Sequence, residues 1–280
     1  MPVSANLYYA QHTAGEPEQK PIILIHDAGS THQCWPAELR RLPGQTVFAL
    51  DLPGHGNSGG VGYQSVGAYC GALVEFLASL NLYQAVFVGH GLGAAISLML
   101  ALDFPQHVAG LGLISAGASF RVPPNLTDYL SSPTTLLNAR ELIQRMQLSP
   151  FTPARAAQQA EDILAKTRPS VLYGDWLACE QFDLHDRLSE LSLPALVACG
   201  EQDRLTPPGQ ARHLAQVLEN AQLRLIRAAG HLALQEQPAA LAAALTDYLG
   251  ALETWRQSVP LPVALPESAR RKVGRASQDE

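Results

Sequence analysis

The stretch Val88-Gly89-His90-Gly91-Leu92-Gly93-Ala94-Ala95 decides how this chain is read. Before it stands the apolar run Ala85-Val86-Phe87-Val88, long enough for a strand buried on both faces. After it, Gly91 to Leu102 is apolar all round, as a helix buried against a sheet would be. Small residues at 89 and 93 let the chain turn very tightly from that strand into that helix. One buried strand feeding one buried helix is the unit from which parallel α/β sheets are built.

Working outward, the same alternation recurs. Ile22 to Ile25 ends at His26, and Thr46 to Leu50 ends at Asp51. Leu111 to Ile114 ends at Ser115, Ala195 to Cys199 ends at Gly200, and Leu223 to Ile226 precedes Ala228-Ala229-Gly230. Each run reads as a strand apolar on both faces. Between them, Val66, Cys70, Leu73, Leu77 and Leu80 recur at helical spacing, and Pro208 to Leu218 and Pro238 to Leu249 each begin near a proline suited to a first helical turn. Right-handed crossovers then give an α/β fold, a mainly parallel sheet flanked by helices.

The alternation breaks between Ala116 and Pro194. That stretch is punctuated by Pro123, Pro124, Pro133, Pro150, Pro153 and Pro169, and carries helical patterns over Leu136 to Met146 and Ala154 to Lys166. The expected division is a core from residues 1–115 and 195–255, a helical insertion at 116–194, and a tail at 256–280 expected to be disordered. The basic cluster Arg270-Arg271-Lys272 reads as part of a solvated tail rather than a nucleic-acid arm.

Composition narrows the function classes. The 280 residues are 47% apolar and 16% charged, with a net charge of −6. Low charge with ordinary apolar content excludes whole-chain disorder, and a mild acidic excess spread along the chain argues against nucleic acid as a partner. Cys34, Cys70, Cys179 and Cys199 form no C-x-x-C pair, so neither a disulfide framework nor a zinc site is expected. No H-x-H or H-E-x-x-H cluster occurs, and Gly89-His90-Gly91-Leu92-Gly93 sets its third glycine too early for a dinucleotide loop. No cofactor is expected. The N-terminus lacks a signal-peptide pattern, and the apolar run from Val86 to Leu102 is shorter than the roughly 20 residues of a membrane span. A cytoplasmic protein, with a small molecule as its partner, is the expectation.

The chemistry gathers where the strands end. The tight turn has the context of the G-x-S-x-G nucleophile elbow, but its central position is Gly91, so the pattern is G-x-G-x-G. Asp203 follows a strand in Gly200-Glu201-Gln202-Asp203-Arg204, where a carboxylate can hold a histidine in one tautomer. His231 follows the last strand in Ala229-Gly230-His231-Leu232. His26-Asp27-Ala28-Gly29 follows an early strand, and with Leu92 it supplies backbone N–H groups for an oxyanion hole, Asp27, Ala28 and Leu92 being the candidates. His26, His90 and Trp35 are candidate pocket residues. His26 and His55 read also as loop organisers, and His32 and Cys34 follow the oxyanion loop.

This ordered set resembles the α/β-hydrolases of the capped, esterase-like kind. Asp51-Leu52-Pro53-Gly54-His55-Gly56-Asn57-Ser58 is similar to that family's D-x-P-G-x-G-x-S loop, and Gly230-His231-Leu232 through Pro238 to its terminal histidine motif. The resemblance runs from about residue 20 to 250. It implies a sheet flanked by helices, a cap at Ala116 to Pro194 that helps choose the substrate, and a triad of position 91, Asp203 and His231.

Two departures follow. Gly91 has no side chain with which to attack a carbonyl. Asp27 stands where the family has glycine, and its carboxylate either faces the hole and repels an oxyanion or points away. The expectation is a protein of esterase-like lineage lacking the serine nucleophile, which binds a small, apolar or ester-like ligand with weak or no ester hydrolysis. An alternative is an enzyme in which His231, held by Asp203, is a general base, as a lyase, cofactor-free oxygenase or water-activating hydrolase, since the resemblance also implies that His–Asp pairs can abstract protons. A third reading is a serine esterase whose nucleophile was mutated to Gly91.

Overall fold

The computed structural model describes residues 2–16 and 19–258. The chain divides into two compact units, residues 1–248 and 249–280. The sheet, and every side chain of the site, belong to the first.

Eight strands form one sheet: β1 (Val3–Ser4), β2 (Leu7–His12), β3 (Ile22–Ile25), β4 (Val47–Leu50), β5 (Ala85–His90), β6 (Val108–Ile114), β7 (Ala195–Gly200) and β8 (Ala221–Ile226). They lie in the order β1-β2-β4-β3-β5-β6-β7-β8. β1 pairs with β2, and β2 with β4, antiparallel; every pairing from β4 to β8 is parallel. β3 to β7 are buried at every residue. This is what continuous apolar runs require when both faces of a parallel sheet are covered.

Three strands differ from expectation. β1 and β2 were not legible as strands, because Leu7-Tyr8-Tyr9-Ala10-Gln11-His12 mixes polar and aromatic residues and is only half-buried. β8 was expected to be apolar on both faces, but Arg224 is exposed and most of its neighbours half-buried. It ends the sheet, so one edge and part of its surface face water.

The helices are α1 (Ala37–Arg40), α2 (Val66–Ser79), α3 (Leu92–Asp103), α4 (Leu126–Ser131), α5 (Leu136–Gln147), α6 (Ala154–Lys166), α7 (Pro169–Glu180), α8 (Pro208–Val217), α9 (Ala233–Glu236) and α10 (Pro238–Ser258). α4 to α7 fall between β6 and β7 in chain order. α7 and α8 carry proline in the first turn, where its missing N–H is no loss. α10 runs on to Ser258; the expectation for the remaining tail lies outside the described residues. Among the described residues no helix is long and apolar enough to cross a membrane.

Register sets the site. Ile25 lies beside Gly89, His90 beside Ile114, and Ile114 beside Ala198. The carboxyl ends of β3, β5, β6 and β7 therefore finish on one edge of the sheet, β7 running two residues past the partner of Ile114. Brought to one edge are His26 and Asp27, Gly91, Ser115 and the loop bearing Asp203. In open parallel sheets ligand sites form in this crevice.

Candidate active site

Between β5 and α3 the backbone of Gly91 takes φ 53 and ψ −114. A side chain there would be strained by about 1–3 kcal/mol. The turn is held by the Gly91 N–H, which donates to the Ile114 carbonyl at 3.0 Å. Two residues on, a Cβ at Gly93 would overlap the Ile25 carbonyl, so glycine lets α3 begin directly on the end of β3.

The space above Gly91 is filled by Asp27. A Cβ built at 91 would overlap its carboxylate. Asp27 Oδ1 accepts the Leu92 N–H at 2.9 Å. Its Oδ2 lies 3.1 Å from His231 Nε2 and accepts from Gln147 Nε2 at 3.4 Å. The sequence left the direction of this side chain open, and it points into the site. The Leu92 N–H, a candidate oxyanion donor, is therefore engaged by Asp27. The Asp27 side chain, rather than its backbone N–H, dominates the local chemistry, while Ala28 lines the adjoining cavity.

His231 lies between two carboxylates. Its Nδ1 is 3.0 Å from Asp203 Oδ2, opposite the Asp27 contact at Nε2. Asp203 is fixed in turn: Oδ1 accepts the Leu205 and Thr206 N–H groups, and Oδ2 the Thr206 hydroxyl at 2.8 Å. Burial opposes a charged imidazole, but Asp203 and then Asp27 outweigh it and hold the His231 pKa up at about 10. Burial also opposes ionisation of the two carboxylates. The His231 hydrogen bond and charge overcome this at Asp27, helped by the Leu92 N–H, and hold it well below the usual range. Asp203 is lowered too, by His231 and Thr206 against burial. The three groups form a carboxylate–imidazole–carboxylate chain in which both carboxylates favour the protonated ring.

His90 stands beside this chain. Its Nε2 donates to the His231 carbonyl at 2.8 Å, and burial lowers its pKa. The Ser115 hydroxyl donates to the same carbonyl at 3.1 Å. His26 takes no part: its Nε2 accepts the Leu52 N–H and its Nδ1 donates to the Asp27 carbonyl, so it pins two loops. Burial, then the neighbouring His55, lower its pKa to about 4. Trp35 is buried away from the cavity lining. Cys34 lines the cavity, and burial raises its thiol to about 12, which removes thiolate chemistry there.

Three contributors escaped the sequence reading. Gln147, at the end of α5, reaches Asp27. Asp175 on α7 accepts from the Gly29 N–H, His55 Nε2 and the Tyr69 hydroxyl. Glu236 on α9 accepts from Ser149 and Thr152 and from the Gly230 N–H beside His231. A lone carboxylate within Val171-Leu172-Tyr173-Gly174-Asp175-Trp176-Leu177 was a usable signal for Asp175, because a buried charge needs partners.

The cavity against Asp27 has a volume of about 30 Å³, and its walls include Ala28, His90, Gln147, Ile163, Leu164 and Gln235. Among the described residues, Asp27, His90 and His231 also form a group whose ligand atoms lie within 4.8 Å of one another and could hold a metal ion.

The fold and this edge-of-sheet site define a class. The model of the α/β-hydrolase fold family matches residues 20–238, and the chain belongs to that family. A 2-succinyl-6-hydroxy-2,4-cyclohexadiene-1-carboxylate synthase of Salmonella typhimurium is 27% identical over 264 residues, covering 87% of this chain and 99% of that one. Among solved structures, a thermophilic esterase from Thermogutta terrifontis superposes with a TM-score of 0.80 at 23% identity, covering 88% of this chain and 93% of its own. An enol-lactonase from Burkholderia xenovorans does so at 0.79 and 20% identity, covering 87% and 96%. Those two likenesses are likenesses of fold.

Proposed function

We propose that this chain is a non-acylating member of the α/β-hydrolase family, which binds a small, largely apolar molecule at a hydrolase centre closed by its own carboxylate. The observation that carries the reading is Asp27. It lies over the Gly91 turn, where the family's nucleophile side chain would stand, and it engages both the Leu92 N–H and His231 Nε2. An acyl-transfer enzyme needs a nucleophile in that seat and a free donor for the oxyanion. Here the seat holds a carboxylate of low basicity, and the donor is taken by the same group.

This fit also bears on how Gly91 arose. With a serine at 91 and nothing else altered, the Asp27 carboxylate could not occupy its present position. The two residues suit each other, which favours a settled change over a single silencing replacement. His231 as general base is the weaker alternative, because its Nε2 is paired with Asp27 Oδ2 and both flanking carboxylates raise its pKa, which favours the protonated ring.

We place the ligand in the cavity beneath α5 and α6, which in this reading act as part of a cap. Ala28, Ile163, Leu164, Leu232 and Leu234 make its wall apolar, and Asp27, His90 and Gln147 give it polar points. Organic ligands occupy roughly 300–1,000 Å³, so binding requires α5 and α6 to part. The test is intact-mass analysis of the protein incubated with short activated acyl esters. No acyl adduct and no burst are expected. An adduct on the wild-type chain would overturn the reading.

A further inference from the structure

The three groups that crowd the Gly91 turn have a property that neither the family nor the missing serine requires. His90 gives Nε2–H to the His231 carbonyl, an atom that can only accept. Its Nδ1 therefore keeps a lone pair in the neutral ring. His231 gives Nδ1–H to Asp203, so its lone pair, when the ring is neutral, is on Nε2 and aimed at Asp27 Oδ2. Each imidazole has one nitrogen committed to an oxygen acceptor, and Asp27, His90 and His231 each offer a ligand atom within 4.8 Å of the other two. Metal-binding histidines are held this way: the second nitrogen bonds a carboxylate or backbone carbonyl, which fixes tautomer and ring orientation.

Other observations point the same way. Gln235 lines the same cavity, and its buried Oε1 has no hydrogen-bond partner among the described residues. The cavity of about 30 Å³ is far too small for an organic molecule without rearrangement, and fits an ion or about one water. Asp27, His90 and Gln235 line this cavity, and the unpartnered Gln235 Oε1 together with the Asp27 carboxylate favours an electron-pair acceptor there.

We propose that Asp27, His90 and His231 form a binding site for a first-row divalent cation, with two imidazole nitrogens and one carboxylate oxygen as protein ligands and a position left open toward the cavity. The donor set suits zinc, cobalt or nickel better than magnesium or calcium, which favour all-oxygen sites. The cation takes the place of the proton shared by His231 Nε2 and Asp27 Oδ2. Ligand atoms up to 4.8 Å apart must close on bonds of about 2.0–2.2 Å, which takes side-chain rotation of Asp27 and His90 on the order of 1 Å. Asp203 and the His231 carbonyl act as positioning groups, since they orient the rings without touching the ion.

The experiment is titration of the chelator-treated, dialysed full chain with Zn²⁺ by calorimetry and with Co²⁺ by visible absorption. One ion per chain is expected, with a Kd of about 1 µM or tighter and the d–d bands of a low-coordinate nitrogen–oxygen site. His90→Ala and Asp27→Ala should each weaken binding at least about 100-fold, while His185→Ala, at an exposed imidazole outside the cavity, leaves it unchanged. Circular dichroism checks that each variant is folded, and if one is not, the other carries the test. Binding weaker than about 100 µM, binding unaltered by both His90→Ala and Asp27→Ala, or loss of binding with His185→Ala each overturns the site. The proposal goes beyond the non-acylating reading and fails separately from it. An acyl adduct on the metal-free chain would sink that reading alone, and absent metal binding would sink this one alone.

Discussion

At position 91 the backbone conformation and the Asp27 carboxylate make two residues interdependent that lie far apart in sequence. A serine placed there meets both the strain of φ 53 and the carboxylate above it. Gly91→Ser alone should therefore lose stability by about 1–3 kcal/mol and gain no ester hydrolysis. Asp27→Gly with Gly91→Ser vacates the seat, frees the Leu92 N–H and returns His231 to a hydroxyl. Its kcat/KM on a short p-nitrophenyl ester should exceed that of either single variant by at least about 100-fold. Equal rates in the double variant and in Gly91→Ser would show that the fault lies beyond Asp27. Removing the charge alone has a different signature. Asp27→Asn leaves Asp203, the stronger of the two influences that raise His231, so the His231 pKa should fall from about 10 without reaching that of a free imidazole. An NMR titration of the ring reads this directly, and an unchanged midpoint would mean that Asp27 does not bear on His231. None of this coupling was legible from sequence. The chain shows that Asp27 and Gly91 both follow strands, but whether a side chain turns toward or away from a neighbour depends on register and rotamer.

Among the elements, α7 is fastened to the loops of the site by one buried carboxylate. Asp175 accepts from His55 Nε2 at 2.7 Å, from the Gly29 N–H at 2.7 Å and from the Tyr69 hydroxyl at 2.5 Å. It thereby ties α7 to the loop after β3, the loop after β4 and helix α2. Thr167, just before α7, donates its hydroxyl to the Gly29 carbonyl as well. Asp175→Ala should cost about 3–5 kcal/mol in urea denaturation, because it leaves buried donors unpaired. Tyr69→Phe, which removes one of three donors, should cost about 1 kcal/mol. If both cost the same, the carboxylate is not the organising group. The elements themselves were largely legible: apolar runs gave the parallel strands, and the pattern over Ala154 to Lys166 gave α6. What failed was what periodicity cannot carry. β2 is a half-buried strand without clean alternation, α4 has only six residues, and the Asp175 tie joins positions that no local pattern connects.

On the scale of the whole molecule, the sequence put the candidate residues at strand ends, and the structure gathers them at one edge of a parallel sheet. The sequence could not supply the charge state of the site, which depends on three buried groups from separate loops. That state governs how stability varies with pH. His231 has a folded pKa of about 10 against an ordinary 6.5, so below pH 6.5 its protonation contributes fully. Between 6.5 and 10 the folded chain holds a proton that the unfolded chain has lost, so stability falls as pH rises, and above 10 the contribution is gone. His55, raised by Asp175 against burial, acts in the same direction. His26, lowered to about 4 by burial and then His55, acts in a separate window, where stability rises with pH from 4 to 6.5. Asp27 and Asp203 lie below their ordinary 3.8, so their contribution is present above that value and lost as pH falls further. The urea midpoint should therefore peak near pH 6.5 and decline toward 10. His231→Gln should be less stable at pH 6.5 and decline less steeply above it, the remaining slope including the His55 contribution. Parallel curves for the two proteins between pH 6.5 and 10 would mean that His231 is not held protonated between its carboxylates.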